Sequence, residues 1–121
     1  ETIKQLKQPV LGICLGMQLM GAYSQENDTK CLEIIDLEIR KFPPREKVPH
    51  MGWNLIRNYS GKLFVDLPEK PYVYFVNSYY AELCDATTAT TDYIWPFSAA
   101  LNKDNYYAVQ LFYLSLSLYL V

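Results

Sequence analysis

Pro9-Val10-Leu11-Gly12-Ile13-Cys14-Leu15-Gly16-Met17-Gln18 is the stretch on which the reading of this chain turns. Pro9 to Ile13 is the short apolar run of a buried strand. From Leu15 the spacing becomes helical. Leu15, Gln18/Leu19, Ala22/Tyr23 and Glu26 recur every three or four residues, and Asn27-Asp28 forms a polar stop, which predicts a helix over 15–26. Between strand and helix sits Cys14, in the turn Gly12-x-Cys14-x-Gly16. Such a junction is the cysteine form of a nucleophile elbow: the turn is strained, and the flanking glycines let backbone approach without a Cβ clash. The thiol would stand at a helix N-terminus, where free N–H groups and the macrodipole favour thiolate. The Leu15 N–H would point where an oxyanion forms. The plainer reading is a small buried cysteine in a glycine-rich turn, and the strand before it and helix after it weigh against that.

Outward from this turn, the chain changes period. Ile35, Leu37 and Ile39 alternate with Asp36, Glu38 and Arg40, as in a half-exposed strand. Phe42 to Pro49 holds three prolines and reads as a loop. Tyr72 to Leu83, dense in aromatic and β-branched residues, predicts a strand. So do 87–93, 97–101 and 106–110, with Asn102-Lys103-Asp104-Asn105 as a hairpin turn. A strand–turn–helix start followed by strands predicts an α/β fold with an open, mostly parallel sheet and flanking helices. Active sites in such sheets lie at the carboxyl ends of strands, where Cys14 falls.

At 121 residues the chain is one domain or part of one. It begins with glutamate and enters an apolar strand by Pro9, so truncation at both ends is the expectation. A net charge of −2 gives no electrostatic case for nucleic acid or an anionic membrane. Cys14, Cys31 and Cys84 lack metal-ligand spacing, and Glu1 to Gln5 has no apolar core of a secretory leader. No metal or cofactor is expected, and a reducing, cytoplasmic compartment is.

Gly12-Ile13-Cys14-Leu15-Gly16-Met17-Gln18 resembles the class I glutamine amidotransferases, a flavodoxin-like fold whose cysteine attacks the side-chain amide of glutamine and releases ammonia to a synthase partner. The resemblance implies a glutamyl thioester on Cys14. Gly16, Gln18 and Glu26 would meet the glutamine, Glu26 at its α-amino group. The bland reading of Gln18 and Glu26 is exposed helix polarity. Val48-Pro49-His50-Met51-Gly52-Trp53-Asn54 looks like a segment of the glutaminase subunits of imidazole glycerol phosphate synthase, from histidine biosynthesis. Tyr74-Phe75-Val76-Asn77-Ser78-Tyr79 resembles a later strand of the same subunits, with Asn77 where they usually carry histidine. That implies substrate contacts from Ser78 and Tyr79. It also implies a heterodimer in which Met51, Trp53, Asn54 and Tyr74 face a cyclase subunit, Pro49 to Asn54 being read as an exposed loop rich in interface residues. Trp53 and Tyr74 packing in the chain's own core is the alternative.

The family's base is a histidine in a Phe-His-Pro-Glu segment, due directly after Ala108-Val109-Gln110. No His, Asp or Glu follows Asp104. Residues 1–110 thus read as a partial amidotransferase domain and 111–121 as an atypical apolar tail, an unpaired edge strand in pattern, which suggests a frameshift or truncated reading after Gln110. At 16 residues from Tyr106, broken by Gln110, that run falls short of the roughly 20 a spanning helix needs. The family's glycine-rich oxyanion loop would lie upstream of Pro9. Loss of an acid–base group costs about 10²- to 10⁴-fold in rate, and of an oxyanion donor about 10²- to 10³-fold more, so the chain as written is expected to be close to inert. Two alternatives stay open: a non-catalytic cyclase-binding remnant, and an amidotransferase of another pathway.

Overall fold

The computed structural model describes residues 2–65, 67, 70–111 and 113–114. Strand β1 (Val10–Ile13) leads through Cys14 into helix α1 (Leu15–Leu19). Short strands β2 (Tyr23–Ser24), β3 (Thr29–Lys30) and β4 (Glu38–Lys41) follow, then β5 (His50–Leu55), β6 (Tyr72–Asn77) and β7 (Tyr79–Ala81). The chain closes with β8 (Thr87–Tyr93), β9 (Trp95–Lys103), β10 (Tyr106–Val109) and β11 (Tyr113–Leu114). The larger sheet runs β1-β10-β9-β7-β4-β2-β3 with β8 on β9, and the smaller runs β11-β6-β5.

The arrangement is α/β, but within the described residues the sheet is mixed. The β1/β10 and β2/β4 pairs are parallel and the others antiparallel. Short connections cause this. The turn at Asp104-Asn105 returns β9 into β10 at once, and only antiparallel strands can be joined so tightly. Asp104 takes φ 53°, a left-handed turn conformation that aspartate tolerates.

The helix is shorter than its periodicity predicts, ending at Leu19 instead of Glu26. Tertiary pairing overrides local spacing. The N–H groups of Leu32, Glu33, Ile34 and Ile35 take up the carbonyls of Leu19, Gly21 and Met20 at 2.8–3.0 Å, capping the helix early. Ala22 N–H then donates to Leu37 O at 2.8 Å as the chain enters β2. Glu26 therefore lies in a 3₁₀ turn, Glu26–Asp28.

The facing of Ile35, Leu37 and Ile39 is as expected, all three buried, although strand pairing begins only at Glu38. Tyr72 to Leu83 is not one strand. It breaks at Ser78 into β6 and β7, which belong to different sheets. Phe42, Phe75, Tyr80 and Phe97 form a core cluster with the smaller sheet. Met17, Met20, Ile35, Ile39 and Leu101 form a second, to which α1 and the residue after it contribute the methionines.

The tail is not an unpaired edge where it is described: Tyr113 lies opposite Tyr74 and Leu114 opposite Val73. The rest of the expectation for 111–121, Leu111 apart, falls outside the described residues.

Candidate active site

Cys14 closes β1 with φ 52° and ψ −105°, a combination L-residues rarely adopt and one that costs about 1–3 kcal/mol. The fold holds it there. Cys14 N–H donates to Val109 O at 2.8 Å, anchoring the turn to the end of β10. Gly12 is required by contact, since a Cβ there would fall 2.8 Å from the Gly16 carbonyl and 2.9 Å from Met20 Cε. Gly16 is not: a Cβ there meets open space. The steric argument for paired glycines thus holds for the first alone.

The thiol is half-buried, and its S–H reaches Gln110 O at 3.4 Å and Leu111 O at 3.7 Å. Burial pushes its pKa above the ordinary thiol value. The expected thiolate preference is therefore absent: a five-residue helix offers little dipole, and the nearest acceptors stabilise the protonated form. Gln18 Nε2 donates to Gln110 Oε1 at 3.1 Å, with Gln110 fully buried.

Around the thiol lies an open cavity of about 390 Å³. It gathers Cys14, Leu15 and Gln18 from the elbow, Glu26 from the 3₁₀ turn, and Ser78 and Tyr79 from the β6–β7 break. Gly16 sits in α1 outside this lining. Asn77 and Gln110 also line the cavity. Sequence reasoning gave neither a role. The only signal for Gln110 was its place just before the expected histidine.

Pro49 to Asn54 is not a loop. His50 to Leu55 form β5, paired in register with β6. Strand alternation then sorts the residues by face. Met51 (53 % exposed), Trp53 (51 %) and Leu55 point outward, opposite Val76, Tyr74 and Tyr72. Trp53 meets Tyr74 edge-on at 5.4 Å. Asn54 points the other way, donating from Nδ2 to Asp92 O at 2.9 Å, so the structure separates it from the other three. His50 is buried, stacked between Phe75 at 4.9 Å and Tyr93 at 4.0 Å. Burial drives its pKa down to about 4, and it does not line the cavity.

The model of the family "Glutamine amidotransferase class-I" matches residues 1–111. The chain belongs to the class I glutamine amidotransferase family. It is 56 % identical over 113 residues to the imidazole glycerol phosphate synthase subunit HisH of Bacteroides thetaiotaomicron, covering 91 % of this chain and 58 % of that one. It is 44 % identical over 116 residues to the subunit of the same name from Vibrio parahaemolyticus, covering 89 % and 57 %. The chain thus spans a little over half the length of these relatives. A crystal structure of a Thermoplasma acidophilum protein assigned to GMP synthase superposes with a TM-score of 0.66 at 18 % identity. It covers 94 % of this chain and 54 % of the other, and supports the family's fold. Among the described residues no helix is long and apolar enough to cross a membrane, and no group of His, Cys, Asp or Glu could hold a metal ion.

Proposed function

We propose that this chain carries the glutaminase site of an imidazole glycerol phosphate synthase, in which glutamine is hydrolysed to glutamate and ammonia and the ammonia passes to a cyclase subunit. The observation that carries the reading is the cavity: Cys14, Leu15, Gln18, Glu26, Ser78 and Tyr79, distant in sequence, line one space beside the strained thiol. Cys14 Sγ attacks the side-chain amide carbon and the Leu15 N–H receives the oxyanion. The C–N bond breaks as the thiol proton passes to the leaving nitrogen, giving ammonia and a glutamyl thioester; water then cleaves the thioester to glutamate and the free thiol. Gln18, Glu26, Ser78 and Tyr79 hold the polar groups of the substrate, and Gly16 supports them from within α1, behind the cavity wall. Residues 1–110 form the amidotransferase part and 111–121 the atypical tail. The outward ladder of Met51, Trp53 and Tyr74 meets the cyclase in a heterodimer, and Asn54 supports that strand from behind. The free cysteines fit a reducing cytoplasm.

We infer that the site as it stands is close to inert: burial raises the thiol pKa, and no histidine lines the cavity. An electrophilic glutamine analogue separates binding from turnover. Peptide mass mapping is expected to find the adduct on Cys14, not Cys31 or Cys84, while glutamine itself yields no ammonia. Equal labelling of the three thiols would refute the site.

A second reading, a cyclase-binding chain with a structural Cys14, is favoured by one observation: the thiol is occupied by backbone carbonyls. Tight cyclase binding without any Cys14 adduct would select it.

A further inference from the structure

Two buried polar atoms that lack a partner at bonding geometry are His50 Nδ1 and Asn77 Oδ1. They belong to directly paired residues, His50 on β5 and Asn77 on β6. A buried polar atom left unpaired is costly, so two such atoms on facing residues call for an explanation. The hydrogen bonds around them supply one.

Asn54 has its amide orientation set by backbone. Its Oδ1 accepts from Leu55 N–H at 2.8 Å and its Nδ2 donates to Asp92 O at 2.9 Å. The amide nitrogen therefore faces His50 Nε2, 3.4 Å away. A ring nitrogen facing an N–H must be the unprotonated one, which puts the ring proton on Nδ1. Asn77 is oriented in the same way: its Nδ2 donates to Tyr79 O at 2.9 Å, leaving Oδ1 as an acceptor.

We propose that Asn54, His50 and Asn77 form a one-directional hydrogen-bond relay, Asn54 Nδ2–H to His50 Nε2, His50 Nδ1–H to Asn77 Oδ1, Asn77 Nδ2–H to Tyr79 O. Its function is to position the Ser78–Tyr79 turn of the cavity. Asn77 is a positioning residue and touches no reacting atom. Asparagine suits the place because one amide both accepts from the imidazole and donates to the carbonyl. The stacking of His50 between Phe75 and Tyr93 fixes the ring plane. Its depressed pKa, caused by burial, keeps it in the neutral form the relay needs.

His50 is the only histidine of the chain, so ¹⁵N-histidine labelling reports on one ring. At about pH 8, well above the ordinary imidazole range, the ring proton is expected on Nδ1. A proton on Nε2, or averaging between tautomers as in water, would overturn the relay. Asn77→Asp keeps the acceptor and removes the donor to Tyr79. It is expected to leave the Nδ1 tautomer intact and to shift the backbone amide resonances of Tyr79 and Tyr80. Glutamine affinity by calorimetry should fall about tenfold, the scale of one buried hydrogen bond. Unchanged amide resonances would overturn the positioning role. The affinity arm alone rests on the proposed glutaminase reading. A wild-type chain that binds no glutamine sinks that reading, while tautomer and amide shifts still decide the relay.

Discussion

Acid should unfold this protein earlier than its carboxylates alone require, because of one buried imidazole. His50 titrates near 4 inside the core and near 6.5 in an unfolded chain. On acidification the unfolded state takes up the proton first. The stabilisation is therefore complete above pH 6.5 and is lost as pH falls towards the folded value. Linkage gives a loss of about 2 kcal/mol at pH 5 and about 3 kcal/mol at pH 4, against a total of about 5–15 kcal/mol for an ordinary domain. Carboxylates protonate over the lower part of that range, and Asp92, held down by Arg57, adds a small exposed-pair contribution. His50→Phe removes the titration while filling the slot between Phe75 and Tyr93. Urea unfolding of both proteins, followed by tryptophan fluorescence from pH 7.5 to 4.5, isolates the effect. The stability advantage of wild type over variant should shrink by about 2 kcal/mol or more across that interval. A difference that stays flat with pH would refute the reasoning.

The two glycines of the elbow should behave oppositely. Gly12→Ala drives a Cβ into the Gly16 backbone and is expected to cost at least about 2 kcal/mol in thermal unfolding. Gly16→Ala enters open space within a helix and is expected to stabilise by about 0.5 kcal/mol. Equal effects would refute the packing of the turn. Alkylation of Cys14 should be slow at neutral pH and keep rising past the ordinary thiol range of about 8.5; a plateau below that range would contradict a buried, protonated thiol. Trp53→Ala should weaken binding to the cyclase of a relative by about 30-fold or more, a far larger effect than the small stability loss from its edge contact with Tyr74. Unaltered affinity would remove Trp53 from the interface.

The elbow was legible because its signals are local. A strand, a glycine turn and a helix start occupy ten consecutive residues, and Gly12 is needed for a contact only four residues away. The Ser78–Tyr79 segment was singled out from the sequence but its structure was not legible, because the break at Ser78 depends on β6 and β7 joining different sheets. The length of α1 was illegible for a similar reason. Residues 19–26 keep helical spacing, yet the N–H groups of 32–35 arrive from later in the chain and claim the helix-end carbonyls. Interface-type residues (Met51, Trp53 and Asn54) suggested an exposed loop at 49–54. That pattern is also one of strand alternation, with His50 and Asn54 inward and Met51 and Trp53 outward. The role of Asn77 could not be read locally, since its partner in register is 27 positions away (77 − 50).

The thiol has been placed but not activated, and the geometry says what activation requires. Its S–H donates to the carbonyls of Gln110 and Leu111, so the segment after Val109 already runs past the sulfur. An imidazole just after Leu111 in sequence is the base that the family resemblance calls for. Replacing 111–114 by Phe-His-Pro-Glu (Leu111→Phe, Phe112→His, Tyr113→Pro, Leu114→Glu) supplies that base and a carboxylate to orient it. The proline also disfavours continued strand pairing of 113–114 with β6. Ammonia release from glutamine is expected to rise by about 10²- to 10⁴-fold, the worth of a general acid–base group. The alkylation profile of Cys14 should move to lower pH in the same variant, because an imidazolium neighbour favours thiolate. If the profile moves while hydrolysis stays at background, the base is not what limits the site. If neither moves, Cys14 is not the nucleophile its strained turn makes it out to be.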